Sequence, residues 1–331
     1  MSSSLATPGP SRPESPELPI LYLPTPIHPD ALALAHEHFD VVTPDDSRGP
    51  TWYEHAVASV VSAGRLKQAD VAKAHKLKVI TRNGVGCDSV PLETCRAQSI
   101  VVTNQPGCNA KAVAEVALGL AILVTRKLAQ VDLRLKRGER LVSQDWRAES
   151  VEGKTLGLVG MGDIARATAK KFSGAFDTPV IVYSPTSSPL KWTEQDPSGQ
   201  PPVPHRRVSS LDELLAEADI VSLHCPLNAE TKDMIGEEQL ARMKSSAILI
   251  NTARGGLVDE PALIRALQTN QIYGAGLDVF VHEPPSRNEY EDLFSLDNVV
   301  VLSHVGAQTH QVQRDTRPTK EMHAANQNAA R

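Results

Sequence analysis

Four ionisable side chains follow three separate apolar runs in the second half of the chain. Arg254 comes just after AILINTA, Asp278 and Glu283 follow GAGL, and His304 follows NVVVLS. If these runs are parallel strands, their carboxyl ends meet at one edge of a sheet and bring the side chains together. An arginine fork suits a carboxylate, and a histidine beside a glutamate suits acid–base chemistry near neutral pH. The pattern predicts proton transfer on an anionic substrate, although each residue alone could be a surface or capping group.

A possible cofactor loop lies upstream, in the stretch TLGLVGMGDIARATAKKF. Its apolar run predicts a strand, Gly160-x-Gly162-x-x-Ala165 predicts a tight turn, and the residues from Ile164 onward predict an amphipathic helix. Such a turn presents backbone amides and the positive end of a helix to a pyrophosphate. Glycines also end strands for purely structural reasons, but the position between strand and helix favours a dinucleotide site.

Strands must alternate with helices to place these residues at one sheet edge, and the whole chain shows that alternation. The pattern predicts an α/β protein with parallel sheets covered on both faces. A length of 331 residues allows about two domains. A long helix is predicted from Asn109 to about Arg134, and Pro185 to Ser210 predicts a long loop rather than a packed helix. The predicted strands are PILYL, ASVVS, LKVIT, SIVVT, PVIVY, DIVSLHCPL, AILIN, GAGLDVF and NVVVL.

Composition excludes several classes of function. Lys and Arg number 34 against 39 Asp and Glu, the net charge is -5, and no basic block is present, so a nucleic-acid partner is not expected. The cysteines are scattered without metal-type or redox spacing, which indicates a reduced, cytosolic protein. They are Cys87, Cys95, Cys108 and Cys225.

Residues 1–17 carry no signal-peptide pattern and predict a disordered leader. The most apolar stretch, Val116 to Val124, is shorter than the ~20 residues of a membrane span and predicts a buried helix instead. His36 and His38 are two apart on a predicted helix and therefore point to different sides, so no metal site is expected.

A glycine-rich connection, NGVGCD, follows one of the early predicted strands. The backbone amides of Val85 and Gly86 could hold a small carboxylate there. A plain turn that needs positive φ explains the same glycines equally well.

Several motifs, in this order, are similar to those of the D-isomer-specific 2-hydroxyacid dehydrogenases, a family that contains D-3-phosphoglycerate dehydrogenases and glyoxylate and hydroxypyruvate reductases. The likeness covers roughly Ile20 to Thr309. The motifs are NGVGCDSV, NQPGCNAKAVAE, GLVGMGDIARA, HCPLNAETKDMIG, INTARGGLVDE, GLDVFVHEPP and LSHVGAQT.

The resemblance implies two doubly wound, Rossmann-like domains, with the cofactor domain inserted into a flavodoxin-like substrate domain, and a homodimer. The expected boundaries are 18–115 plus 305–331 for the substrate domain and 116–304 for the dinucleotide domain. It also implies an NAD(P)-dependent oxidoreductase that transfers hydride between a nicotinamide cofactor and a 2-oxoacid or D-2-hydroxyacid.

Residue roles follow from the same resemblance. Arg254 would hold the substrate, together with the amides of Val85 and Gly86, while His304 would be the acid–base and Glu283 its partner. Asp278 would meet the nicotinamide carboxamide. The cofactor would contact Gly160, Gly162, Asp163, Ile164, Ser184, Cys225, Thr231, Thr252, Ala253, Asp278, His304 and Ala307.

The sequence departs from the family at Ser184, where an Asp usually selects NAD through the ribose 2′-hydroxyl. A serine neither accepts that bond as strongly nor repels a 2′-phosphate, so NADPH is predicted to be used at least as well as NADH. Lys191 is the only nearby cation in sequence, and Asp163 adds negative charge near the pyrophosphate. The C-terminal segment should be a helix returning to the first domain, but Pro318 interrupts it.

One alternative from another class is a dinucleotide-sensing protein resembling the C-terminal-binding corepressors, which share the fold and the NTARGGLVDE motif. Arg254, Glu283 and His304 do not separate the two, because those corepressors keep similar residues. A formate dehydrogenase is a weaker alternative, since it pairs its His with Gln rather than with a residue like Glu283.

Overall fold

The chain folds into two compact units, one inserted in the sequence of the other. The computed structural model describes residues 18–62, 65–315 and 323–324. One unit contains residues 1–105 and 317–331, and the other contains residues 106–316. Each described unit has a twisted, largely parallel sheet, which confirms the predicted two-domain α/β fold.

The first unit has five parallel strands in the order β2-β1-β3-β4-β5. This is the strand order of flavodoxin-like folds. The strands form because short β-branched runs alternate with amphipathic helices. The elements are β1 (Ile20–Tyr22), α1 (Pro29–His38), β2 (Asp40–Val42), β3 (Ala58–Val61), α2 (Gln68–Lys73), β4 (Val79–Arg82), α3 (Leu92–Ala97) and β5 (Val101–Asn104).

The second unit has seven parallel strands in the order β12-β11-β10-β9-β6-β7-β8. From β6 the chain adds β7 and β8 on one side and then β9 to β12 on the other. The strand order therefore reverses between β6 and β9, where Rossmann folds bind dinucleotides. The elements are α4 (Ala110–Thr125), α5 (Leu128–Lys136), β6 (Leu156–Val159), α6 (Asp163–Phe176), β7 (Val180–Tyr183), β8 (Arg206–Arg207), α7 (Leu211–Glu217), β9 (Ile220–Leu223), α8 (Glu237–Arg242), β10 (Ile248–Asn251), α9 (Glu260–Gln268), β11 (Gly274–Leu277), α10 (Glu291–Phe294), β12 (Val299–Val301) and α11 (His310–Asp315).

Apolar cores cover both faces of this second sheet. Helices α4 and α6 pack on one face and α7, α8 and α9 on the other. Strands β6, β9, β10 and β11 are buried along their whole length. Their polar side chains are therefore confined to the strand ends, where the backbone leaves the sheet.

The long helix predicted from Asn109 is in fact two helices. Lys127 adopts the left-handed conformation with φ 52°, which interrupts the helical series between α4 and α5. Its ammonium lies 5.3 Å from the centre of the Tyr273 ring, a contact between distant parts of the chain that local periodicity does not reveal.

The long loop predicted between Pro185 and Ser210 contains no helix, and most of it is exposed, but one of its side chains anchors it in the core. Trp192 is only 2% exposed and lies in the core beside α6. Near its end the loop forms the two-residue strand β8, which the sequence did not predict.

The division between the units differs from the boundaries expected at residues 115–116 and 304–305. Helix α4 packs against β10 and β11, so the whole helix belongs to the second unit. Residues 305 and 306 stay with that unit as well, because their amides bind a side chain of the second sheet.

The structure describes two short elements of the C-terminal segment. Helix α11 covers His310–Asp315, and β13 (His323–Ala324) pairs antiparallel with β5 of the first unit. Few apolar residues are available in this segment to form a packed helical face. The predicted leader of residues 1–17 and Pro318 lie outside the described residues. In the described part of the chain, no helix combines the length and the hydropathy needed to cross a membrane.

Candidate active site

The turn after β6 can be made only by glycine at its first position. Gly160 has φ 106°, and a Cβ there would lie 2.7 Å from the carbonyl oxygen of His224. Its amide donates to the carbonyl oxygen of Tyr183 at 2.8 Å, which ties this turn to the end of β7. The loop is therefore fixed between the carboxyl ends of two neighbouring strands.

Helix α6 begins directly after the turn and presents unused amides at its first residues. Gly162 is the N-cap residue, and open space surrounds the position that a Cβ would take. Among the described residues, the amides of Asp163, Ile164 and Ala165 donate to no acceptor. Unused donors and the positive end of a helix provide a cradle of the kind that binds a pyrophosphate.

The neighbouring strand ends supply the other residues predicted to line the cofactor. The hydroxyl of Thr252, just after β10, is buried and has no hydrogen-bond partner in the described structure. A buried hydroxyl without a partner is costly, so a bound polar ligand would satisfy it. Burial raises the pKa of the Cys225 thiol to about 11, which keeps it uncharged. This chemistry fits a nicotinamide dinucleotide.

Three further predicted cofactor residues lie on loops of the same unit. The hydroxyl of Thr231 donates to the carbonyl oxygen of Pro226 at 2.7 Å, so it holds its own loop. Ala253 lies between Thr252 and Arg254, and its amide donates to the Asn251 side chain. Ala307 is half-buried in the loop after β12. Their contacts with the cofactor stay predictions.

The structure brings His304 and Glu283 into direct contact. The Nδ1 atom of His304 lies 2.8 Å from Oε2 of Glu283, and the imidazole is about half exposed. The Nε2 atom makes no hydrogen bond with the described residues. A carboxylate on Nδ1 fixes the tautomer and the orientation of the ring, so Nε2 is left to exchange a proton with a substrate.

Two opposing effects act on the pKa of Glu283. Burial alone would raise it, but the hydrogen bond with His304, the Phe280 amide at 3.1 Å and the charges of His304 and Arg254 together lower it. Glu283 is therefore an anion at neutral pH. An anionic partner stabilises the protonated imidazole that hydride addition to a carbonyl requires.

Asp278 holds the loop that carries His304. Its buried carboxylate accepts hydrogen bonds from the amides of Val305 at 2.8 Å and Gly306 at 2.9 Å, and its carbonyl oxygen accepts from the amide of His304 at 2.7 Å. Burial raises the pKa of Asp278 despite the two amides. This bracing was not expected from the sequence, and the predicted contact with the nicotinamide carboxamide stays a prediction.

The backbone around Arg254 is held by a tight glycine contact. A Cβ on Gly255 would lie 2.0 Å from the carbonyl carbon of Phe280, so only glycine lets the Arg254 loop approach the segment leading to Glu283. The side chain of Asn251 donates to the carbonyl oxygen of Arg254 at 2.9 Å. The backbone of Arg254 is thus held beside this segment, and its positive charge contributes to the lowered pKa of Glu283.

The predicted carboxylate loop belongs to the first unit. The amides of Val85 and Gly86 donate to no acceptor among the described residues, whereas their carbonyl oxygens are held by Asn104 Nδ2 at 2.7 Å and Arg82 Nε at 3.0 Å. Gly84, with φ 139°, provides the left-handed turn. The loop is therefore a positive-φ turn that also leaves two amides available, and carboxylate binding by these amides stays a prediction.

One residue at the cofactor end was missed in the sequence. Arg207, on β8, donates to the carbonyl oxygens of Ser184 and Ser188, both at 2.7 Å. Nothing in the local sequence placed Arg207 beside Ser184, because the contact depends on the pairing of β7 with β8.

Comparison with known proteins identifies the family of the chain. The family model described as the NAD binding domain of D-isomer specific 2-hydroxyacid dehydrogenases matches residues 118–306. A hydroxypyruvate reductase from Thermotoga maritima is 39% identical over 260 residues, which cover 77% of this chain and 79% of that protein. The chain belongs to the D-isomer-specific 2-hydroxyacid dehydrogenase family. The predicted activity, that of an NAD(P)-dependent oxidoreductase acting on 2-hydroxyacids or 2-oxoacids, is thereby confirmed.

Other members of the family show similar relationships. A glyoxylate/hydroxypyruvate reductase B from Klebsiella pneumoniae is 37% identical over 290 residues, or 85% of this chain and 86% of that protein. Among solved structures, an NADPH-dependent glyoxylate/hydroxypyruvate reductase from Sinorhizobium meliloti, in complex with NADP and malonate, superposes with a TM-score of 0.78 at 29% identity and covers 90% of each chain. A D-lactate dehydrogenase from Aquifex aeolicus, complexed with NAD and lactic acid, gives 0.75 at 26% identity and covers 90% of this chain and 92% of that one.

Proposed function

We propose that this protein reduces small 2-oxoacids of the glyoxylate and hydroxypyruvate type, with NADPH used at least as well as NADH. The observation that carries the proposal is the 2.8 Å pair of His304 and Glu283 at the strand ends that also hold Arg254. Relatives named as glyoxylate or hydroxypyruvate reductases support the substrate class.

The residues divide the chemistry between them. Arg254 is proposed to bind the substrate carboxylate through its planar fork. In the first unit, the amides of Val85 and Gly86 are proposed to bind a carboxylate. A bound reduced nicotinamide supplies the hydride. His304 gives a proton from Nε2 to the carbonyl oxygen as negative charge develops there, and Glu283 stabilises the charged imidazole before that transfer.

A spectrophotometric screen tests the function. Glyoxylate, hydroxypyruvate, pyruvate, phenylpyruvate and branched 2-oxoacids are each supplied with NADH and with NADPH, and cofactor oxidation is followed. We expect turnover to be fastest with the smallest 2-oxoacids. Absence of oxidation with every 2-oxoacid and both cofactors would contradict the proposal, and a reaction without 2-oxoacid serves as the control.

The corepressor alternative has no observation in its favour. The relatives described above are reductases and dehydrogenases. The cytosolic location inferred from the scattered cysteines stays a proposal.

We also propose that the protein is a homodimer. Helix α5 has no buried residue, and Leu128, Leu133 and Leu135 on it are between 43% and 52% exposed. Val142, which follows in the sequence, is also exposed. Exposed leucines concentrated on one short helix are typical of a surface covered by another chain, and a closed homodimer is the commonest such assembly.

Light scattering at micromolar concentration is expected to give a mass twice the 35.7 kDa of the monomer. The double variant Leu133→Lys, Leu135→Lys should be monomeric, because charges are costly in an apolar interface. Leu34→Lys, at a leucine of α1 that is 40% exposed, is the control and should stay dimeric. A wild-type mass of one chain would contradict the proposal.

A further inference from the structure

Strand pairing brings a distant arginine to the end of β7. In the register of β7 and β8, Val182 lies opposite Arg207. The Nη2 atom of Arg207 donates to the carbonyl oxygens of Ser184 at 2.7 Å and Ser187 at 3.1 Å, and Nη1 donates to that of Ser188 at 2.7 Å. The guanidinium of Arg207 therefore contacts three carbonyl oxygens of the loop that begins at Ser184.

The positive charge of Arg207 is not neutralised by a carboxylate among the described residues. The adjacent Arg206 differs, since its guanidinium pairs with both Glu213 and Glu217. Consecutive residues of a strand point to opposite faces, so only Arg207 serves the Ser184 loop. The Ser184 loop thus contacts a guanidinium whose charge no carboxylate of the described residues neutralises.

Two hydroxyls complete this cluster. The Oγ atoms of Ser184 and Ser187 lie 2.8 Å apart, so one donates to the other. Hydroxyl hydrogens rotate to suit a new acceptor, and both groups can donate to an anion. Arg207 uses three N–H groups on carbonyl oxygens, and a guanidinium has about five, so further donors remain.

The cluster lies where the fold places one particular part of a dinucleotide. The amide of Gly160, in the turn proposed to bind the pyrophosphate, donates to the carbonyl oxygen of Tyr183, the residue before Ser184. In Rossmann folds the end of the second strand faces the 2′ oxygen of the adenosine ribose. An aspartate at that position would repel a phosphate, and this chain has Ser184 there.

We propose that Arg207, together with the hydroxyls of Ser184 and Ser187, binds the 2′-phosphate of NADP and is the main determinant of cofactor choice. The inference rests on the proposed function, because it assumes the dinucleotide site after β6. The inference adds Arg207 of β8 to the Ser184 loop, which begins at the end of β7. Guanidinium groups bind phosphate oxygens through charge-assisted hydrogen bonds, which are stronger than neutral ones.

The test measures binding to the full chain by calorimetry, without any hydride transfer. The probes are 2′,5′-ADP, 5′-AMP and inorganic phosphate. We expect the wild-type protein to bind 2′,5′-ADP about 10-fold or more tightly than 5′-AMP, a difference of ~1.4 kcal/mol or more. Arg207→Gln, which can still donate to a carbonyl oxygen, should remove most of that difference while 5′-AMP affinity changes little.

Two further variants serve as a control and as a test of cofactor preference. Arg206→Gln removes the neighbouring charge and should leave both affinities unchanged. Ser184→Asp should weaken 2′,5′-ADP by repulsion and shift kcat/KM toward NADH by about 10-fold. Equal weakening of 2′,5′-ADP and 5′-AMP in Arg207→Gln would overturn the proposal, since it would show a role in loop structure alone.

Three other results would also overturn the inference. They are a wild-type protein that does not distinguish 2′,5′-ADP from 5′-AMP, an affinity for inorganic phosphate equal to that for 2′,5′-ADP, and an effect of Arg206→Gln as large as that of Arg207→Gln. Failure of the proposed function is a separate outcome, because it would leave 2-oxoacids unreduced whatever the affinity for 2′,5′-ADP.

Discussion

Replacing His304 with alanine is expected to lower kcat for glyoxylate by about 100-fold or more, because positioned proton transfer contributes at least about that factor. The substitution removes the imidazole of His304. Its Nδ1 atom contacts the Glu283 carboxylate, and its Nε2 atom makes no hydrogen bond with the described residues. Steady-state kinetics with saturating cofactor measure the loss. Cofactor affinity, followed by fluorescence titration, should be retained, since the α6 amides and Thr252 are unchanged.

His38→Ala is the matched control, because His38 is exposed at the end of α1 and should not affect turnover. Glu283→Gln tests the partner. The pKa of Glu283 is lowered, so its carboxylate stays charged to more acidic pH and supports His304 until the pH falls through that lowered value. The glutamine variant lacks this charge at every pH. Near-normal kcat in His304→Ala would remove His304 from the proton-transfer role.

Arg254→Lys is expected to lower kcat/KM for the 2-oxoacid by roughly 10- to 100-fold, because charge-assisted hydrogen bonds are worth about 1.5–3 kcal/mol. Lysine keeps the positive charge but loses the planar fork that grips a carboxylate with two parallel bonds. Kinetics at low and saturating 2-oxoacid separate the effects on KM and kcat.

Arg265→Lys provides the comparison for this change. Arg265 is an exposed residue of α9 that pairs with Glu237, and the same exchange there should leave kcat/KM unchanged. If Arg254→Lys bound and reduced 2-oxoacids as well as the wild type, Arg254 would not contact the substrate carboxylate.

Most of the fold could be predicted because its signals are local. Most strands are short apolar runs, and the turn from Gly160 to Gly162 lies between a buried strand and an amphipathic helix. The break at Lys127 could not be predicted, since neither Pro nor Gly marks it and its contact with Tyr273 joins residues far apart in sequence.

For the candidate site, the sequence by itself determined that Arg254, Asp278, Glu283 and His304 each follow a strand, because strand ends are visible as the end of an apolar run. Only the tertiary structure decided the partners. Glu283 meets the His304 ring, while Asp278 accepts two backbone amides and braces the loop. Spacing along the chain does not distinguish these two carboxylates, since loop conformation sets which one faces the imidazole.

The surroundings of Ser184 also depended on the tertiary structure. The serine at position 184 was evident from the sequence, and so was Lys191 as the only cation close to it along the chain. That Arg207 nevertheless lies beside Ser184 depends on the register between β7 and β8. Register is set by how two strands and the buried Trp192 segment between them pack together, and no periodicity within either strand contains that information.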